Sequence, residues 1–214
     1  MVKLSSKKLI KGILNGDSII SGSKEAMDLY GQSLFGEYTN KKMYYSLSEA
    51  LYLVEKKKME VFRNTKKLNF QELMEVCKKI DKKILVKYSV YQDMRSKGYL
   101  LKTALKFGAD FRVYDKGKRP GKVTKGSLGK AKEVGVKGSL GKAKEVGVKG
   151  SLGKAKEVAH AKWILYPVSE SDDLTWHEFS AKNRVAHSTK KNLLIAVVDS
   201  EGDVTYYEIS WKKP

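Results

Sequence analysis

The sequence predicts a mixed α/β (α+β) fold in two parts, and three features predict it. Helix signals recur through the first hundred residues, and short apolar runs bounded by turn residues dominate the rest of the chain. Between two amphipathic segments stands the polar stretch Asp81-Lys82-Lys83, where we place a domain boundary. This gives a small N-terminal α/β domain over 1–83 and a C-terminal domain over 84–214.

Taken in order, LIKGILNGDSIISG carries two apolar runs around Asn15-Gly16-Asp17, a tight-turn sequence that predicts two small strands. SKEAMDLYG reads as a short helical segment. In MYYSLSEALYLVEKKKMEVF, Ser46 stands three residues ahead of Glu49, so a capping box should open a helix running from Leu47 to about Lys57. FQELMEVCKKI puts Phe70, Leu73, Met74 and Cys77 on one stripe of a further helix. Cys77 sits at core spacing there and reads as a buried thiol rather than a nucleophile.

Ile84, Tyr88, Tyr91 and Met94 continue at helical spacing up to Gly98, a natural C-terminal cap. Beyond it the period changes. Tyr99–Thr103, Phe111–Tyr114 and Lys162–Val168 read as strands, Leu174–Val185 as a helix behind Asp172 and Asp173, and Asn192–Asp199 with Val204–Trp211 as a hairpin.

Between Pro120 and Trp163 the dodecamer KGSLGKAKEVGV starts at Lys125 and repeats at Lys137, and a variant, KGSLGKAKEVAH, starts at Lys149. The copies have no aromatic residue and little apolar surface to offset ordering, so a mobile insert is expected over about 123–159. GSLGKA lacks the spacing and the Ser or Thr of a phosphate-binding loop.

The 43 Lys and Arg against 24 Asp and Glu give a formal charge of +19, to which the repeats contribute +6. Such a charge suits a polyanionic partner, because cationic side chains displace counterions condensed on phosphates. No run approaches the roughly 18 to 20 apolar residues of a membrane span, and the start MVKLSSKKLIKG lacks a signal-peptide pattern. A cytoplasmic protein with no membrane partner is expected. One cysteine and three scattered histidines, without CxxC or HExxH, provide no zinc site, and no cofactor or metal is expected.

Four strings occur in order: YSLSEALYLVE, YSVYQDMRSKGYLLKTALKFGADFRVYDKG, HAKWILYPV and WHEFSAKNRVAHSTKKNLLIAVVDSEGDVTYYEISW. Together they resemble the archaeal tRNA-splicing endonucleases over nearly the whole chain outside the repeats. The resemblance implies a C-terminal nuclease domain with a mixed central sheet flanked by helices. It implies catalytic roles for Tyr114, His160 and Lys191, and for Arg184 a role in holding a bulged nucleotide of the RNA. It further implies a homo-oligomer, with a tetramer favoured over a dimer, in which Asp199, Glu201 and Asp203 form an acidic loop that enters a neighbour's basic cleft. The substrate implied is precursor tRNA, cut at bulge-helix-bulge junctions. Tyr114 and His160 are 46 positions apart, where the family has a short loop; the repeats account for the excess.

The residue types suit that chemistry. RNA supplies its own nucleophile, the 2′-hydroxyl, so cleavage needs a proton acceptor, a proton donor and a cation for the phosphorane. An imidazole, with an unperturbed pKa near 6.5, suits the donor, and His160 is the candidate. The Lys191 ammonium suits the non-bridging oxygens. A phenol, with an unperturbed pKa near 10, is only about 0.1% ionised at pH 7, so Tyr114 either has a nearby ammonium to lower it or merely orients the hydroxyl. Two rival readings are a non-catalytic structural subunit and a metal-dependent DNA nuclease of similar fold.

Overall fold

The computed structural model describes residues 9–104, 108–118, 120 and 160–211. The repeats fall outside them, except for His160 at the end of the third copy, and so does the expectation of a mobile insert.

In the N-terminal half, β1 (Ile10–Asn15) turns through Asn15-Gly16-Asp17 into β2 (Ser18–Ser21), with Gly16 at φ +60°. Helix α1 (Lys24–Ser33) follows, capped by Ser23. Four more strands, β3 (Glu37–Thr39), β4 (Lys42–Ser46), β5 (Met59–Arg63) and β6 (Lys66–Leu68), complete a six-stranded sheet ordered β3-β4-β2-β1-β5-β6. The pair β1–β5 is parallel, and the other pairs are antiparallel. The sequence predicts only the first two strands. The others turn through Asn40-Lys41 and Asn64, all at positive φ, where asparagine tolerates the left-handed region but no glycine marks it.

Helix α2 (Leu47–Glu55) opens with the expected capping box: the Ser46 hydroxyl accepts from the Glu49 N–H, and the Glu49 carboxylate accepts from the Ser46 N–H. It ends two residues earlier than expected. Lys57 adopts φ +51°, and Lys57 and Lys58 donate back to the Val54 and Leu53 carbonyls, closing the helix without a glycine. Helix α3 (Phe70–Ile80) buries Leu73, Met74 and Cys77, as its stripe predicts. Helix α4 (Ile84–Ser96) buries Ile84, Tyr88, Val90, Tyr91 and Met94 and stops at Gly98, φ +88°.

The second sheet holds β7 (Leu100–Ala104), β8 (Ala109–Tyr114), β9 (Trp163–Ser169), β10 (Asn192–Val198) and β11 (Val204–Ile209), ordered β11-β10-β9-β8-β7. β9 and β10 are parallel, and α5 (Trp176–Ser188) is the crossover between them. The remaining neighbours are antiparallel. The expected helix start at Leu174 moves to Trp176, because Thr175 and Glu178 form a capping box there.

Both faces of this sheet are buried, so its central strands read as continuous apolar runs. Phe111, Val113, Trp163, Leu165, Leu194 and Ala196 join one core that runs through α4 into the N-terminal sheet. Ile164, Tyr166, Leu193 and Ile195 pack on the opposite face with Ala186 of α5. No helix among the described residues is long and apolar enough to cross a membrane.

Candidate active site

Strand directions decide what meets at the edge of the second sheet. β9 and β10 run parallel and β8 runs against them, so the end of β8 and the beginnings of β9 and β10 share one end of the sheet. Val113, Trp163 and Asn192 form a row across the three strands. The row is closed by two hydrogen bonds, from the Lys162 N–H to the Val113 carbonyl at 2.9 Å and from the Asn192 N–H to the Lys162 carbonyl at 3.1 Å. Tyr114 lies one residue beyond this row, Lys191 one residue before it, and His160 three before it. Adjacent strands are about 4.8 Å apart, so the backbones bearing Tyr114 and Lys191 stand roughly 10 Å apart, two strand spacings.

Local structure seats each group. Tyr114 is buried against Leu100 and Ala161, with Leu34 of the N-terminal half packed on them. His160, three residues before β9, is exposed. Lys191 is delivered by the end of α5: Lys190 takes φ +55°, and the N–H groups of Lys190 and Lys191 donate to the carbonyls of His187 and Ala186. This return turns the chain directly from helix into β10. The Lys191 ammonium donates to the Thr189 carbonyl at 2.7 Å.

Burial pushes the Tyr114 hydroxyl above its ordinary pKa; Arg112 opposes the rise and Glu37 adds to it. Burial also lowers Lys191, and Arg112 lowers it further. Arg112, two residues before Tyr114 on the same face of β8, therefore bears on both groups. Its guanidinium lies 3.6 Å from the Glu37 carboxylate of β3. Lys102, opposite Arg112 on β7, is buried and donates to the carbonyls of Leu34 and Gly36. Sequence reasoning missed Arg112, Lys102 and Glu37. The alternation of Arg112 with Tyr114 was a readable signal, whereas the approach of Glu37 was not.

Arg184 is exposed on α5, away from the strand ends by nearly two helical turns of sequence before Lys191. His187, one turn on from Arg184, packs against the exposed Trp211 with ring centroids 4.6 Å apart and the planes tilted by 44°. A guanidinium and an aromatic surface thus share one helix face. In the β10–β11 turn, the Asp199 carboxylate accepts from the Glu201 and Asp203 N–H groups at 3.0 and 2.8 Å. Asp199 organises the turn, while Glu201 and Asp203 stand exposed. Cys77 is buried, far from reactive character, with its thiol pushed up to about 12. Among the described residues no three His, Cys, Asp or Glu side chains gather as metal ligands.

A phenol, an imidazole and an ammonium at one end of a sheet are groups that can move protons around an anion, carried here on an α+β scaffold. Comparison with known proteins makes the class specific. Residues 10–74 match the family "tRNA intron endonuclease, N-terminal domain", and residues 84–128 with 148–206 match "tRNA intron endonuclease, catalytic C-terminal domain". The chain belongs to the tRNA intron endonuclease family. It is 41% identical over 168 residues to the tRNA-splicing endonuclease of Nanoarchaeum equitans (strain Kin4-M), covering 78% of this chain and 88% of that one. It is 35% identical over 208 residues to that of Thermococcus onnurineus (strain NA1), covering 97% and 99%. With the Methanothermobacter thermautotrophicus (strain Delta H) enzyme it shares 28% identity over 201 residues, covering 93% and 96%. The catalytic-domain match passes over 129–147, inside the repeat array.

Proposed function

We propose that the protein removes introns from precursor tRNA by cutting bulge-helix-bulge exon–intron junctions, through metal-independent transesterification that leaves 2′,3′-cyclic phosphate and 5′-hydroxyl ends. Family membership supports the endoribonuclease activity and the tRNA substrate. The convergence of Tyr114, His160 and Lys191 on one end of the sheet is the observation that supports the mechanism.

In this reading Tyr114 accepts the 2′ proton, the freed oxygen attacks phosphorus, and His160 protonates the departing 5′-oxygen. Lys191 neutralises the non-bridging oxygens while charge builds on the phosphorane. The exposure of His160 suits an acid that must be reprotonated from solvent each turnover. Arg184, with the His187–Trp211 ring pair one turn away, receives an extruded bulge base.

We take the two family matches as two domains divided at Asp81–Lys83, working in the cytoplasm. Two cuts at fixed spacing along one RNA need paired sites, so the working form is a homotetramer, with a homodimer as second choice. Its contacts include the turn bearing Glu201 and Asp203, shaped by Asp199.

Lys191→Ala tests the mechanism. Cleavage of a bulge-helix-bulge RNA should fall by about 10²-fold or more while binding of that RNA stays within a few-fold of wild type. Undiminished cleavage by this variant would remove Lys191 from the reaction.

A further inference from the structure

A buried phenol is a poor base unless a cation favours its ionised form. The sequence names no residue for that charge, since Lys191 is assigned to the non-bridging oxygens. The structure offers one: Arg112 shares a strand face with Tyr114, two positions away, with its guanidinium tethered to Glu37 of the N-terminal sheet. Its Nε is buried with no hydrogen-bond partner. Arginine makes a poor structural plug under those conditions, since its fork is left partly unsatisfied and its pairing with half-exposed Glu37 is long. What a guanidinium brings to that place is its charge.

We propose that Arg112 is a positioning residue of the cleavage site: two residues before Tyr114 on one strand face, with the Glu37 carboxylate 3.6 Å from its guanidinium, it readies the Tyr114 hydroxyl to take the 2′ proton. The inference rests on Tyr114 being the proton acceptor. It makes the N-terminal domain a participant in catalysis, because that domain's carboxylate sets how much of the guanidinium's field reaches the phenol.

Among the described residues, charged and titratable groups reach the Tyr114 end of the sheet from several elements, Lys162 just before β9 among them. Glu37 approaches from β3, Arg112 lies on β8 itself, Lys102 stands on β7, His160 precedes β9, and Lys191 precedes β10. Glu49 and Arg95 act one step further away, on Lys102. Arg112 favours the phenolate and Glu37 opposes it, so removing one or the other should have opposite effects.

The ordinary pKa values of an imidazole acid and a phenol base stand in reverse order for their task, and for any such pair the rate is level between the two values and falls above the higher one. The height of that plateau depends on how readily the phenol ionises. Single-turnover cleavage of a bulge-helix-bulge RNA, measured against pH, reads both quantities. Arg112→Gln should lower the plateau on the order of tenfold, less than the loss of a proton-transfer group itself, and move the alkaline fall to higher pH. Glu37→Gln should leave the plateau equal or higher and move the fall to lower pH. Arg112→Lys, which keeps the charge, should restore the wild-type profile.

A purely structural weld predicts slower cleavage in both variants with an unmoved alkaline fall. That result, or movement in the same direction in both, overturns the proposal. Should Arg112→Gln fail to fold, the direction of the Glu37→Gln profile decides alone. Tyr114→Phe separates the two roles. If it cleaves like wild type, the reading of Tyr114 itself fails; if it is inactive and the profiles do not move, the role of Arg112 alone fails.

Discussion

His160 and Cys77 illustrate how position within the fold divides accessible from buried side chains. His160 is exposed at the mouth of the sheet, where a small molecule can occupy the space of a deleted ring. His160→Ala should lose about 10²- to 10⁴-fold in cleavage rate, and added imidazole should restore part of it, measured under single turnover. No rescue alongside intact RNA binding would count against a proton-donor role. Cys77 faces the other way, into the core of α3, and burial, with the Asp81 carboxylate adding to it, raises its thiol from 9.0 to about 12. Below pH 9 both folded and unfolded chains hold the proton, so the thiol's contribution is fully present. As pH rises from 9 through about 12 the unfolded thiol ionises first, and stability falls. Cys77→Ala should therefore flatten the alkaline loss of stability in urea titrations, cost on the order of 1 kcal/mol at neutral pH, and leave cleavage intact. Thiol reagents at pH 8 should not label the native chain.

At the scale of elements, the helix ends show what the sequence discloses and what it withholds. Three helices close with the same pair of returning hydrogen bonds, ending α2, α4 and α5. Only α4 uses glycine for the left-handed residue, and only there did sequence reasoning find the stop without error. Lys57 and Lys190 occupy the equivalent place in α2 and α5 at positive φ, an uncommon conformation for a side-chain-bearing residue that no composition rule anticipates. Lys57→Gly should relieve that cost and raise stability by roughly 0.5 to 1 kcal/mol, measured by urea denaturation. An unchanged or lower midpoint would mean that Lys57 makes a compensating contact. The capping boxes of Ser46 and Glu49 and the stripe of α3 were legible because they are local. Strands β3 to β6 were not, since each is three to five residues long and stable only within the sheet.

For the whole molecule, the candidate site was legible by resemblance and the reason for its assembly was not. Tyr114, His160 and Lys191 come from segments far apart in the chain, and only the parallel pairing of β9 with β10 brings their ends together. The same topology explains how an insertion between β8 and β9 is compatible with the fold, since the register of Val113 against Trp163 is held on both sides by strand pairing. The N-terminal half is not a separate passenger. One core runs from its sheet through α4 to the catalytic sheet, and Glu37 and the carbonyls of Leu34 and Gly36 reach charged groups of β7 and β8.

The central claim, that three side chains let RNA cut itself with its own 2′-hydroxyl, is tested most directly by analysing the ends produced when a bulge-helix-bulge RNA is incubated with the protein in excess EDTA. Cleavage at both junctions with 2′,3′-cyclic phosphate and 5′-hydroxyl termini is the predicted result. Cleavage that stops in chelator, or fragments bearing 3′-hydroxyl and 5′-phosphate ends, would contradict it.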